Sequence, residues 1–241
     1  VSPEAPVPVC KLIRREMRDG GAGNVYNGIV ALGGSAKFVF VTRPQHVKTR
    51  VVVGHHQVAR IDKEPEPTEY LDAWRMAKGD ILSALRGANV VVISDYGRMP
   101  DEIIRYTITN ALPGQTVIVD PKRSDTRIYS GAEIITPNAA EWRAMGNRLP
   151  AGNRFALVTQ GEHGMTLFRK RARPLRFPTE ARDVIDVTGA GDTVVAVLAT
   201  ALSCGYKLRE SIVLANLAAG IACEKFGTHA VTIQELMGRK E

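Results

Sequence analysis

Val90-Val-Val-Ile-Ser94, running straight into Asp95-Tyr96, has no polar position before its last residue. The run is too short for an ordinary helix and rich in β-branched side chains. It therefore reads as a strand buried on both faces. Thr116–Val119, Glu133–Thr136 and Phe155–Thr159 repeat the pattern. Helical segments lie between them, near Asp101–Leu112 and from Ala139. Apolar strands alternating with helices predict an α/β fold, with a mostly parallel sheet covered by helices on both faces. The strands end on polar residues: Asp95-Tyr96, Asp120-Pro121-Lys122, Pro137-Asn138 and Gln160-Gly161-Glu162. Open α/β sheets bind ligands at these carboxyl ends, so four such endings mark a site; ordinary loops are the competing reading.

Upstream the chain reads as β-rich and irregular. Strands are expected over Val7–Ile13, Lys37–Val41, Lys48–Val53 and Gln57–Ile61, with a helix over Gly23–Ala31. A further helix, introduced by Pro67 and Thr68, covers Glu69–Arg86. Downstream, Gly191–Cys204 is apolar on nearly all sides and is expected as a buried helix stopped by Gly205. Leu208–Phe226 and Thr232–Met237 complete the helices.

The 241 residues are enough for one large α/β domain or a domain with a small lobe. No apolar run approaches the roughly 20 residues needed to span a bilayer. The start, Val-Ser-Pro-Glu-Ala-Pro-Val-Pro-Val, lacks the basic and apolar regions of a secretory signal. Cys10, Cys204 and Cys223 are odd in number and have no metal-ligand spacing, which argues against a disulfide framework or a zinc site. A cytoplasmic, reduced setting is expected. The net charge of +7 favours anionic ligands. The basic residues are scattered without interleaved aromatics, so no nucleic-acid partner and no membrane partner are expected.

Three motifs carry chemistry. Thr188-Gly189-Ala190-Gly191-Asp192 opens the buried helix. Glycines there let a ligand approach the backbone, and free N–H groups with the positive end of the helix dipole form an anion site. A carboxylate beside an anion site is contradictory for binding alone. It makes sense if Asp192 takes a proton from a hydroxyl while the N–H groups hold charge on a transferred phosphoryl group. The bland alternative is a glycine-rich turn with Asp192 in the first helical turn. Asn138 and Glu141, three apart at a strand-to-helix junction, could organise Mg²⁺ through water; the alternative is an N-cap with its capping-box Glu. Gly20-Gly21-Ala22-Gly23-Asn24 could bring backbone against a sugar, or form a flexible turn. Lys122 is a phosphate contact or a solvated loop lysine.

Together and in this order the motifs resemble those of the ribokinase (PfkB-type) family of sugar kinases: Asp186–Asp192 its C-terminal signature, Gly20–Asn24 its glycine-rich signature, Asn138–Glu141 its Asn-x-x-Glu motif. Within the family the pattern is most similar to the D-glycero-β-D-manno-heptose-7-phosphate kinases, through Ser2–Val9, Arg60–Asp62, Ser94–Tyr96, Asp120–Lys122 and Lys225–Thr228. The resemblance implies one Rossmann-like carbohydrate kinase domain over residues 1–241. Its β-rich lid would draw on residues about 7–13 and 37–61 and would help to form a homodimer. It implies transfer from ATP with Mg²⁺, and leaves room for a monovalent cation. The product would be a heptose 1,7-bisphosphate for the lipopolysaccharide core. Asp192 would deprotonate the anomeric hydroxyl, and Gly189, Ala190 and Gly191 would form the anion hole. Asn138 and Glu141 would organise Mg²⁺ and phosphates. Thr159, Gly161 and Gly164 would line the nucleotide cleft, with Asn216, Lys225 and Gly227 near the adenine. Gly21, Asn24, Asp95 and Lys122 would hold the sugar phosphate, helped by Arg50 and Arg60 from the lid.

The chain departs from the family pattern in four ways. The residues given start after the position of the family's first strand, the segments near 41–45 and 147–153 are shorter, Arg98-Met99 follows the Ser-Asp-Tyr-Gly run, and the resemblance does not extend to the adenylyltransferase half of bifunctional relatives. A kinase for another sugar, or an impaired nucleotide or sugar-phosphate binding module, are the alternatives.

Overall fold

The computed structural model describes residues 3–5, 9–17, 19–41, 46–54, 56–64, 67–179, 181 and 183–239. In chain order these form α1 (Ala22–Ala31), β1 (Val47–Val53), β2 (His56–Lys63), α2 (Pro67–Leu85), β3 (Val90–Ser94), α3 (Asp101–Thr109), β4 (Thr116–Asp120), β5 (Ile134–Ile135), α4 (Ala139–Ala144), β6 (Phe155–Thr159), β7 (Met165–Arg169), β8 (Leu175–Phe177), α5 (Ala190–Ser203), α6 (Leu208–Cys223) and α7 (Ile233–Gly238).

The main sheet has the order β3-β4-β5-β6-β7-β8. The first four strands are parallel, and β7 and β8 are added antiparallel. Successive side chains on a strand point to opposite faces, and the core divides accordingly. Ile118, Ile134 and Leu157 pack with residues of α1, α5 and α6. Their neighbours Val117, Val119, Ile135, Ala156 and Val158 pack on the other face, with Ile104 of α3, Ile128 and Tyr129 of a short 3₁₀ turn, and Trp142 of α4. Both faces are covered, which is why these strands are apolar at almost every position.

α5 is buried as its sequence requires: Thr193 through Ala199 are all shielded from solvent. It lies against α1 at Gly28, where a Cβ would come within 2.8 Å of the Ala196 side chain. Asn24 lies one turn before Gly28, and Asp192 one turn before Ala196. Residues four apart share a helix face, so the same close crossing that seats Gly28 on Ala196 brings Asn24 to Asp192.

The lid is smaller than the sequence suggests. Strands form over Val47–Val53 and His56–Lys63, paired antiparallel, but not over 9–13 or 37–41; residues 7 and 8 of the first expected strand lie outside the described residues. The segment 37–41 keeps a strand-like alternation. Val39 and Val41 pack on the α2 cluster, while Phe38 meets Tyr26 at a tilt and Phe40 edge to face. No ladder partner stands beside it among the described residues. Expected boundaries also contract elsewhere. The strand read over Glu133–Thr136 narrows to Ile134–Ile135, and the helix read to Phe226 ends at Cys223. The hairpin β1–β2 is exposed along almost its whole length. Glu64, just after it, is tied to Arg98 by a 2.7 Å hydrogen bond within an ion pair.

Candidate active site

Asp192 stands in the first turn of α5, where three distant segments meet. Asn24 Nδ2 donates to its Oδ2 at 2.8 Å and Tyr96 Oη donates to its Oδ1 at 2.7 Å. Burial raises the pKa of this carboxyl; the hydrogen bonds from Asn24 and Tyr96 and the charge of Lys122 oppose the rise. Asn24 and Gly21 were read from the sequence as substrate contacts, and both lie here. Gly21 precedes α1 with φ of 54°, a left-handed value that favours glycine. It lies under the ring of Tyr96, and a Cβ on it would meet Tyr96 Cε2 at 2.7 Å.

The glycines of the 186–192 motif shape the entrance to α5. Gly189 is left-handed (φ 80°) and packs against Thr228, leaving only 3.0 Å between a would-be Cβ and Thr228 Cγ2. Asp186 holds the preceding loop: its Oδ1 accepts from the Thr188 amide and its Oδ2 from the Gly227 amide, each at 2.9 Å. These bonds from Thr188 and Gly227 lower its pKa. The Ala190 amide donates to the Val187 carbonyl at 3.2 Å, which removes it from the expected trio of anion-binding donors. The amides of Gly189, Gly191 and Asp192 have no hydrogen-bond partner among the described residues.

Asp95 departs from the sequence reading. Instead of facing the cleft it is buried, with 1% of its surface exposed. It accepts from Tyr129 Oη at 2.6 Å and the Gly97 amide at 2.8 Å, and pairs with Arg123. Consecutive side chains leaving a strand point opposite ways, so with Asp95 turned inwards it is Tyr96 that reaches the site. No sequence motif singles out Tyr96, because alternation sets Asp95 and Tyr96 on opposite sides without deciding which of them faces the cleft.

At the end of β4, Asp120 accepts from Thr136 Oγ1 at 3.2 Å. Burial, then the charges of Glu141 and Asp192, push its pKa up to about 7, against the Thr136 hydroxyl and Lys122. Lys122 Nζ bonds Glu141 Oε1, a hydrogen bond that raises its pKa against the effect of burial. Three carboxylates thus surround one ammonium. Asn138 and Glu141 form the capping box that was the alternative reading: Asn138 Oδ1 accepts from the Ala140 and Glu141 amides, and Glu141 Oε2 accepts from the Asn138 amide, all at 2.9 Å. An oxygen-rich cluster with excess negative charge suits Mg²⁺ that keeps part of its water shell. Among the described residues no group of three or more His, Cys, Asp or Glu could hold a metal directly.

The other expected residues lie farther along the rim. Thr159 ends β6 and bridges to Asn138. Gly161 and Gly164 turn the chain into β7, and a Cβ on Gly164 would collide with the Phe177 carbonyl. Asn216 is buried and donates to the Pro178 carbonyl at 2.5 Å. Lys225 and Gly227 follow α6, opposite Asp186. Arg50 and Arg60 are cross-strand partners on the hairpin, with no contact to the Asp192 cluster among the described interactions; Arg60 pairs with Asp62 at 2.9 Å. A cavity of about 310 Å³ opens beside Asp192 and Asn24, lined also by Asp19, Asn27, Thr228 and His229.

A carboxylate beside unpartnered helix amides, at the ligand-binding edge of a covered α/β sheet, can hold an anionic group next to a proton acceptor. The pattern of pfkB family carbohydrate kinases matches residues 82–235, and the chain belongs to that family. It is 41% identical to the bifunctional protein HldE of Azotobacter vinelandii and 39% identical to that of Stutzerimonas stutzeri, with 98% of the chain and 58% of each relative covered. The chain thus spans less than two thirds of these relatives. The first match runs over 280 aligned residues against 241 in the chain, so the relative carries residues inside the matched span that are missing here. In fold the chain is similar to phosphofructokinase-2 from Escherichia coli in complex with potassium, with a TM-score of 0.76, 18% identity, and 97% and 91% of the two chains covered. No helix among the described residues is long and apolar enough to cross a membrane.

Proposed function

We propose that the chain phosphorylates the anomeric hydroxyl of D-glycero-β-D-manno-heptose 7-phosphate with ATP, giving the 1,7-bisphosphate. The observation that carries this reading is the meeting of Asn24 and Tyr96 on Asp192, with Gly21 beneath the Tyr96 ring, beside unpartnered helix amides. The identity with the HldE proteins supports the choice of sugar. The sugar hydroxyl gives its proton to Asp192 as its oxygen bonds the γ-phosphorus, and the bond from that phosphorus to the ADP oxygen breaks. The Gly189 and Gly191 amides face the charge spread over the transferred group. Mg²⁺, held through water by Asn138 and Glu141, would neutralise phosphate charge. Gly21, Asn24 and Lys122 hold the sugar phosphate, with Arg50 and Arg60 approaching from the hairpin. Thr159, Gly161, Gly164, Asn216, Lys225 and Gly227 line the nucleotide side. Asp95 acts behind this surface, fixing the turn that carries Tyr96. The hairpin β1–β2 joins two copies into a homodimer.

The test is incubation of the purified chain with Mg·ATP and a panel of sugars and sugar phosphates, following ADP release and product mass. Bisphosphate formed selectively from the heptose 7-phosphate is expected. Better turnover of ribose or fructose 6-phosphate would reassign the substrate. ATP binding without turnover of any sugar would make the chain a binding module.

A further inference from the structure

We infer that Tyr96 is a positioning residue for Asp192, orienting its carboxylate and making Oδ1 the oxygen that receives the proton. The inference rests on the reading of Asp192 as the base. It deepens that reading by naming the group that sets the base's geometry and acidity.

The argument begins with how firmly Tyr96 is placed. On one side Asp95 is anchored inside the protein by Tyr129 and Arg123. On the other, the Gly97 amide returns to Asp95 Oδ1 at 2.8 Å. Tyr96 is therefore the middle residue of a turn pinned at both ends. Its ring lies over Gly21, where only a hydrogen leaves room for it. Placed in this way, the phenol reaches Asp192 Oδ1 at 2.7 Å. A side chain serving only as surface cover would not need a glycine beneath it and a buried ion pair behind it.

The chemistry of the two donors then differs. Asn24 meets Oδ2 with its amide nitrogen, which donates and cannot accept. A proton arriving on Oδ2 would face that N–H. Tyr96 meets Oδ1 with a hydroxyl, which donates to the carboxylate and, after rotating about its C–O bond, accepts from the carboxylic acid. Oδ1 can thus take the sugar proton without losing its partner, and can later release it to solvent. Before transfer, both donors favour the ionised form that a buried base must keep. The charged and titratable groups around this position are Lys122 and Asp120 from the end of β4, Asp19 ahead of α1, and His229 after α6. Glu141 acts on it through Lys122.

The experiment compares the full chain with Tyr96→Phe, which keeps the ring over Gly21 and removes only the hydroxyl. The titration of Asp192 is followed by carbon NMR on protein labelled at aspartate carboxyls, its signal assigned by absence from Asp192→Asn. This readout needs no turnover. The midpoint is expected at higher pH in Tyr96→Phe, because a hydrogen bond to the ionised form has been lost. In parallel, kcat should fall about tenfold, the scale of one hydrogen bond to a charged group. KM values should stay within about twofold, and the acid limb of the kcat profile should move to higher pH. An unmoved midpoint overturns the inference, as does a rise in KM with the acid limb unchanged, which would make Tyr96 a substrate contact. Near-normal turnover by Asp192→Asn would instead remove the base reading itself, whatever Tyr96→Phe does to the midpoint.

Discussion

Gly21 and Tyr96 fit together so closely that a single methyl group on Gly21 would lie 2.7 Å from the Tyr96 ring. A substitution there is opposed twice, by the ring and by the left-handed backbone (φ 54°). Gly21→Ala should therefore displace Tyr96 from Asp192. The expected result is a kcat loss of about 10²-fold, the scale of a misplaced catalytic group. The stability loss should be only about 1–2 kcal/mol, since the strain is confined to one turn. Steady-state kinetics beside a denaturant titration would check it; comparable losses in both would mean the contact serves folding alone.

Asp192→Asn keeps the size of the side chain and removes its ability to take a proton. The amides at the entrance of α5 are untouched. Nucleotide affinity should stay within about threefold while kcat falls by about 10²-fold or more, the scale of general-base loss. Calorimetric titration with ATP together with turnover measurements separates the two. A variant with near-normal kcat would remove Asp192 from its role.

Asp120 supplies a stability signature with a defined sign. Its pKa is about 7 in the fold against 3.8 for an unperturbed aspartate. Between these values the folded state binds more protons than the unfolded chain, so stability falls as pH rises from about 4 to about 7. The neutral carboxyl imposes no penalty below that window, and the charged one imposes it fully above. Asp120→Asn keeps the acceptor for Thr136 and removes the charge. It should raise the melting temperature by several degrees at pH 8 and hardly change it at pH 4, as thermal unfolding at the two pH values would register.

The parallel strands were legible because burial on both faces leaves them no room for polar residues. Val90–Ser94 and Phe155–Thr159 form as read. β7 and β8 were not read. They are short, and the basic run Lys170-Arg171-Ala172-Arg173 between them looks like loop. The strands expected at 7–13 and 37–41 do not form over the described residues 9–13 and 37–41, for another reason. Alternation is a property of the segment, and Val39 and Phe40 do point to different neighbours, but a strand also needs a ladder partner. At the site, Gly21, Asn24 and Asp192 could be picked out because glycines before a helix and a carboxylate in its first turn are local signals. Asp95 and Tyr96 could not be told apart, since which of two adjacent side chains turns inward depends on Arg123 and Tyr129, far away in sequence.

The buried pair behind the site makes its own prediction. Asp95 is almost fully enclosed, and Arg123 Nη2 donates to it at 3.2 Å. Removing Arg123 would leave a buried carboxylate with only neutral donors. Arg123→Met should destabilise the chain by about 3 kcal/mol. Adding Asp95→Asn should recover part of that loss by removing the stranded charge. Chemical denaturation of the single and double variants measures the coupling; additive losses would mean that the pair does not act as a unit.

The hairpin β1–β2 has two unlike faces, which decides how its role in assembly is tested. Its register sets Val47, Thr49 and Val51 beside Lys63, Ile61 and Ala59, so one face is largely apolar. Lys48, Arg50, Arg60 and Asp62 point the other way. Val47 and Ile61 are exposed, Ile61 by 61%, and a two-stranded ribbon with an uncovered apolar face is only marginally stable in water. If that face meets its copy in the proposed homodimer, Ile61→Glu places two like charges in the middle of the contact and should give monomers at micromolar concentration. Arg60→Glu, on the opposite face, should leave the dimer intact while weakening sugar-phosphate binding. Sedimentation velocity of both variants distinguishes these effects. A wild-type chain that sediments as a monomer would overturn the homodimer, and an Ile61→Glu variant that remains dimeric would place the apolar face outside its contact.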